Sequence, residues 1–230
     1  MRIPPWDYFT SFRARKMNIP YMKRELLWYA NGDKFDDSIE QYADLWKKIK
    51  TADGSFNSNY GVYLWGEGQL QWCIDSLTKD KYSRQAVVQL LNKSHQYEGN
   101  PDYVCTRSMQ WLIRDDQLLL NVSMRSNDAI FGVTNDCFCF GMIHVYMWLK
   151  LKEVYPELML GDYTHDVVSM HVYSRHYKML DELVSSGTYG YMPVGMPHPK
   201  SAEDFESLFN YGLGNDSHFS NWMLDHAKTK

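Results

Sequence analysis

Apolar residues recur along this chain with two periods, and the change of period falls near Arg84. Ahead of it the spacing is helical. Pro20 is well placed at the start of a helix through Glu25, Leu26, Leu27 and Trp28, and Asn31-Gly32 supplies the stop. Ile39, Tyr42, Trp46 and Ile49 form the stripe of a second helix from about Asp37, and Leu70, Cys73, Ile74 and Leu77 mark a third. After Arg84 the pattern turns to strands. Val87, Val88, Leu90 and Leu91 are apolar and β-prone. Met109, Trp111 and Ile113 alternate with polar or smaller neighbours, and Arg114-Asp115-Asp116-Gln117 reads as a turn. Leu118, Leu120, Val122 and Met124 alternate on the return, which predicts a hairpin. A helix is expected over about Phe138 to Val154, ended by Pro156. Tyr163, His165, Ser169, His171 and Tyr173 share one parity of a further strand, opposite Val168, Met170 and Val172. Beyond Gly187 the chain reads as mostly loops with a short final helix. Helices mixed with hairpins imply an α+β fold, and with no repeat or linker in sight residues 1–230 are expected to form a single domain.

Composition narrows the function classes. Apolar residues make up 44% and charged residues 23% of the 230, as in ordinary soluble globular proteins. Aromatics reach 15%, which fits a ring-lined pocket and a well-filled core equally. The net charge of −4 argues against a nucleic-acid-coating surface, although a few arginines suffice for one phosphate. No apolar run reaches a membrane span and the N-terminus lacks a signal-peptide core, so a cytoplasmic location is expected, in a host cytoplasm if the chain is virus-encoded. Cys73, Cys105, Cys137 and Cys139 follow no metal spacing and suggest no disulfide framework; Cys137 and Cys139 read as core filler.

From Asp102 onward VCTRSMQWLI, MRSND, FGVTND and HVYSRHY follow in one order, and together they resemble the thymidylate synthase family, including its pyrimidine (dCMP) hydroxymethylase branch. ELLWYANGD (25–33) looks like that family's glutamate-bearing helix. Trp46 and Tyr60-Gly61 resemble its Trp and Tyr-Gly elements, and Ser83-Arg84-Gln85 its phosphate loop. The resemblance implies a large mixed sheet flanked by helices and a homodimer formed through that sheet, with Arg84 of one subunit reaching the other's phosphate site. It makes Cys105 the nucleophile and puts Arg125 beside it, also holding phosphate. Ser126 and Gln110 bind substrate, and His171 and Tyr173 bind the sugar 3′-hydroxyl. Asp128 would bond the pterin of 5,10-methylenetetrahydrofolate, the co-substrate, near Trp46, Tyr60 and Gly132. No metal is implied. Glu25 would organise proton transfers and water.

The chemistry accounts for these residue types. Pyrimidine C5 is a poor nucleophile until something adds at C6, and a thiolate both adds and leaves well. A free cysteine near pKa ~8.5 is mostly thiol at neutral pH, so a neighbouring cation such as Arg125 should help. The residues alone allow other readings. Glu25 could be an exposed glutamate stabilising its helix, Asp128 a turn or cap, and His171 with Tyr173 a half-buried polar pair on a sheet.

Asp136 stands where a thymidylate synthase would have asparagine. Uracil presents a donor at N3 and an acceptor at O4, which an amide complements. Cytosine presents an acceptor at N3 and a donor at its 4-amino group, which a protonated carboxyl complements, as does a carboxylate facing N3-protonated cytosine. Aspartate therefore favours cytosine, although a slip of one residue to Asn135 would restore the uracil pattern. Val104 and Thr106 flank the nucleophile in place of the family's proline and histidine, and Gln85 replaces an arginine. Only 24 residues precede Glu25, so Arg13, Arg15 or Lys16 is the candidate replacement for a lost phosphate contact. The tail ending at Lys230 differs from the family's apolar closing segment, and a looser lid would admit water. The first expectation is a deoxycytidylate 5-hydroxymethyltransferase serving modified DNA or nucleotide biosynthesis. An enzyme acting on dUMP comes second, and a weakly active nucleotide-binding homologue third.

Overall fold

The computed structural model describes residues 1–8, 11–12, 18–186, 189–190, 197–209 and 217–225. In chain order the elements are β1 (Arg2–Ile3), β2 (Ser11–Phe12), α1 (Ile19–Asn31), α2 (Asp44–Ile49), α3 (Gln69–Lys79), β3 (Val87–Gln89), β4 (Thr106–Arg114), β5 (Gln117–Asp128), α4 (Gly132–Lys152), β6 (Met159–His171), α5 (Tyr177–Ser186), β7 (Tyr189–Gly190), α6 (Ala202–Glu206) and α7 (His218–Leu224). Five strands form a mixed sheet in the order β1-β6-β5-β4-β3, and β2 pairs with β7 apart from it. Only β5 and β6 run parallel, joined by the crossover helix α4; the other pairs are antiparallel. This is the expected α+β arrangement. No helix among the described residues is long and apolar enough to cross a membrane.

Local chemistry explains the boundaries. Asn18 caps α1 by accepting from the Tyr21 amide at 3.1 Å, Pro20 sits in the first turn, and Gly32 closes the helix at φ +62°. Asp115 and Asp116 take φ values of 49° and 56°, which suits the two-residue turn between β4 and β5. The turn sets the register. Met109 faces Val122, Trp111 faces Leu120 and Ile113 faces Leu118, so the buried alternation of both strands falls on one face, against α4. The helix α4 is apolar nearly all round because it lies between that face and α1.

Three expectations shift. The helix expected from Asp37 breaks into a 3₁₀ turn, Asp37–Gln41, and the short α2, which still buries Ile39 and Trp46. The helix expected from Phe138 starts six residues earlier, at Gly132, and so carries Asn135 and Asp136. On β6 the parity holds but the faces are unequal. Tyr163 and His165 are buried, Val168 is 71% exposed, and Tyr173 lies past the strand end. The short final helix is present as α7, and α6 and β7 add regular structure where loops are expected.

Gly61 locks α1 to the segment that follows Tyr60. Asn59 Nδ2 donates to the carbonyls of Trp28 at 3.2 Å and Asp33 at 3.0 Å, while its Oδ1 accepts from the Gly61 amide at 3.1 Å. A Cβ on Gly61 would lie 1.8 Å from the Tyr29 carbonyl oxygen. Gly61→Ala must therefore push α1 away from this segment, and a loss of about 3 kcal/mol in chemical denaturation is expected. A loss within error of zero would contradict the packing described.

Candidate active site

The helices α1, α2 and α4, the start of β4 and the ends of β5 and β6 enclose a cavity of about 680 Å³. Cys105, which lines it, stands just ahead of β4, next to a register shift between Thr106 and Ser108. Arg125 on β5 holds this corner together. Its backbone amide donates to the Cys105 carbonyl at 2.8 Å. Its guanidinium donates to the Val104 carbonyl at 3.0 Å and to the Tyr103 carbonyl, and Nη2 lies 3.5 Å from Cys105 Sγ. Burial pushes the Cys105 thiol up. Arg125 pulls it down, while Asp136 and Asp102 add to the rise. The cation is where it was expected, but desolvation outweighs it, so Cys105 rests as a thiol at neutral pH.

Opposite stands Glu25, buried in the middle of α1. Its Oε1 accepts from Tyr21 Oη at 2.9 Å and from Tyr29 Oη at 3.4 Å, and Cys139 Sγ lies 3.9 Å from Oε2. Trp46 Nε1 donates to Tyr21 Oη at 3.1 Å, which ties α2 into the same chain. Burial raises the Glu25 carboxyl to about 7 against the lowering by these donors. The exposed-glutamate reading is thereby excluded. Asp136 faces the same space from α4. Burial, then the charge of Glu25, pushes its carboxyl well above the usual range, opposed by a hydrogen bond from the Asn127 side chain. Asn135 also lines the cavity.

The remaining wall is ordered by strand ends. Ser126 Oγ lies 3.3 Å from His171 Nδ1, the His171 and Tyr173 rings meet edge to face at 5.0 Å, and Arg175 covers Tyr173 at 4.1 Å. Asp128 Oδ1 accepts from the Ile130 amide at 2.9 Å, so the turn reading of Asp128 is realised while its side chain also borders the cavity. Tyr60 stacks on Tyr29 at 5.1 Å and accepts from Thr106 Oγ1 at 3.0 Å.

Eleven of the thirteen expected site residues thus meet in one cavity: Cys105, Glu25, Asp136, Arg125, Ser126, His171, Tyr173, Asp128, Trp46, Gly132 and Tyr60. Gln110 and Arg84 do not. Gln110 has the opposite parity on β4 from the buried Met109 and Trp111, and its Nε2 donates to the Arg84 carbonyl at 3.1 Å. Gln110 therefore does not line the cavity. Arg84 is exposed beside it. Arg13, Arg15, Lys16 and the tail through Lys230 lie outside the described residues.

Sequence reasoning missed Tyr21, Tyr29, Asn127, Asp102 and Cys139. The two tyrosines carried a readable signal, because positions four before and four after Glu25 share its helix face. Asp102 accepts from the Ser58 amide at 2.8 Å and from its hydroxyl, bracing the loop ahead of Cys105. Cys139 is core as expected, yet it touches Glu25.

A family model described as thymidylate synthase matches residues 6–211. The chain is 33% identical over 190 residues to the deoxycytidylate 5-hydroxymethyltransferase of Enterobacteria phage T2, covering 74% of each chain. It is 27% identical over 192 residues to a thymidylate synthase of Fusobacterium nucleatum, covering 80% of this chain and 67% of the relative. Its fold is similar to that of the thermostable thymidylate synthase A from Bacillus subtilis, with a TM-score of 0.70 at 20% identity, covering 94% of this chain and 81% of that one.

Ionising Glu25 costs stability, because its folded value of about 7 lies above the free value of 4.5. The penalty is absent below about pH 4.5, where both states are protonated, and complete above about pH 7. Glu25→Gln keeps an acceptor for the tyrosines and removes the charge. The variant should therefore gain stability over the parent at pH 8, by on the order of 3 kcal/mol at most. The gain should vanish at pH 4.5, as read by thermal melts, and an equal difference at both values would contradict the account.

Proposed function

The chain belongs to the thymidylate synthase family, and within it we propose that this protein is a folate-dependent deoxycytidylate 5-hydroxymethyltransferase that adds a one-carbon unit to C5 of dCMP and captures it with water. The observation that carries the reading is Asp136. It faces the cavity, where burial and the charge of Glu25 push its carboxyl well above the usual carboxylate range and so favour its neutral form. A neutral carboxyl offers one donor beside one acceptor, the complement of the N3 and 4-amino edge of cytosine.

The other residues take roles that follow from their positions. Cys105 Sγ adds to C6 and makes C5 nucleophilic. Its thiol must lose a proton first. Arg125 at 3.5 Å favours the thiolate that forms and can hold the substrate phosphate as well. 5,10-Methylenetetrahydrofolate, as co-substrate, would supply the one-carbon unit. The cavity suits it, since Leu45, Trp46 and Ile49 line it with apolar surface and Asp128 borders the same space. Glu25, with its carboxyl raised to about 7, can both give and take a proton at neutral pH, which suits removal of the C5 proton as tetrahydrofolate would depart, and delivery of water to the exocyclic methylene that this leaves on C5. Cys105 then leaves from C6. Ser126, His171 and Tyr173 border the cavity where the sugar would lie.

A homodimer belongs to the same proposal. The sheet face opposite α4 carries the partly exposed Gln110, Leu112 and Leu119, with Val168 71% exposed beyond them. A second copy on that face would cover these positions, and the neighbouring Arg84 would be placed to serve the partner's phosphate site. A second reading, action on dUMP, is favoured by one observation: Asn135 borders the cavity beside Asp136 and offers the amide that uracil needs.

Mass spectrometry of products from dCMP and from dUMP, each incubated separately with methylenetetrahydrofolate, distinguishes the readings. A hydroxymethyl product on dCMP, with little or none on dUMP, is expected. Product on dUMP alone would overturn the base assignment, and a methyl product would overturn water capture.

A further inference from the structure

The buried side chain of Asn127 joins three elements, and no role assigned above uses it. It stands near the end of β5, with Nδ2 2.8 Å from His165 Nε2 on β6. The same side chain hydrogen-bonds the Asp136 carboxyl on α4, and Nδ2 makes a weaker contact to Met124 Sδ at 3.4 Å. Its Oδ1 is pressed against the first turn of α4. A Cβ on Gly132 would lie 2.4 Å from that oxygen, so the glycine is what lets the helix start close over the amide.

Behind Asn127, His165 Nδ1 is hydrogen-bonded to the Tyr163 hydroxyl, and both rings are buried. Burial lowers the imidazole to about 4, so it is neutral and carries one N–H. Because Nε2 accepts from the Asn127 amide, the N–H sits on Nδ1 and donates to Tyr163. With the NH₂ group of Asn127, not its oxygen, toward His165 and Asp136, the side chains form one continuous donor–acceptor chain.

We propose that Asn127, oriented by His165 and Tyr163, is a positioning residue that decides which atoms of the Asp136 carboxyl face the base, and so sets how strongly the site prefers cytosine over uracil. The inference rests on the reading of Asp136 given above. An N–H from Asn127 needs an acceptor lone pair, and in a neutral carboxyl the carbonyl oxygen is the stronger acceptor. The O–H and the second carbonyl lone pair are then left to the cavity, as donor and acceptor side by side. If the amide turned over, its Oδ1 would compete for that O–H. The proton would be drawn away from the cavity, and only acceptors would meet the base. That arrangement fails the N3 of cytosine while accepting the N3–H of uracil, so the preference for cytosine falls even though the O4 of uracil finds no donor.

The test is the ratio of kcat/KM for dCMP over dUMP, which a lower fraction of folded enzyme does not change. His165→Phe removes the acceptor that holds the amide, and the ratio should fall about tenfold, the worth of one hydrogen bond. His165→Gln restores an acceptor and should stay within about threefold of the parent. If His165→Gln loses as much as His165→Phe, the effect is one of packing and the proposal is overturned. Asn127→Ser, too short to bridge His165 and Asp136, should give the same fall and replaces His165→Phe if that variant does not fold. Asp136→Asn separates the two levels of argument. A ratio that falls in Asp136→Asn but is unchanged in His165→Phe and Asn127→Ser would overturn the proposal and leave the Asp136 reading standing. A ratio unchanged in all of them would overturn both. Where dUMP turnover is too slow to measure, the ratio of calorimetric Kd values for the two nucleotides serves in its place.

Discussion

Two carboxyl groups held in one desolvated space are the constraint on which the rest of this structure depends. Glu25 arrives on α1 and Asp136 on α4, and burial raises both, with the charge of Glu25 adding to the rise at Asp136. Ionising both would set two like charges in a space that water screens poorly. At neutral pH the pair therefore retains at least one proton. The surrounding architecture follows from keeping that arrangement bearable. Tyr21 and Tyr29 donate to Glu25 from one turn before and after it, Trp46 braces Tyr21 from α2, and Asn127 braces Asp136 from β5. Burial also pushes the Cys105 thiol up, against the opposing pull of Arg125 at 3.5 Å.

Most of the fold was legible because its main elements carry strong local signals. The Pro20 start and Gly32 stop of α1 and the Asp115-Asp116 turn fall within a residue or so of where the sequence puts them, and the apolar stripe from Leu70 to Leu77 lies within α3. The early turns of α4 were not, since Gly132, Val133 and Thr134 are poor helix formers and only packing under the sheet makes them helical. That error mattered little for the site, because the motif spacing already pointed to Asp136. The break between Asp37 and Ile49 left no trace in the apolar stripe, which both pieces share.

The site was legible where residue type and family resemblance coincided, and opaque where geometry alone decides. Eleven expected residues converge from distant parts of the chain. Gln110 shows the limit, because a motif position says nothing of which sheet face it takes, and parity puts it opposite the cavity. Asn127 shows the converse. As the third residue of Arg-Ser-Asn-Asp it carries no signal of its own in the sequence, yet the close approach of Gly132 and the ring of His165 hold its amide between β6 and α4.

The most direct test of the central claim is the protonation state of Asp136 itself. Infrared difference spectroscopy of the parent against Asp136→Asn at pH 7.5, without nucleotide, should show the carbonyl stretch of a neutral carboxylic acid that disappears in the variant. A carboxylate band in its place would contradict the account, because an ionised Asp136 could not offer cytosine the donor on which the proposed recognition rests.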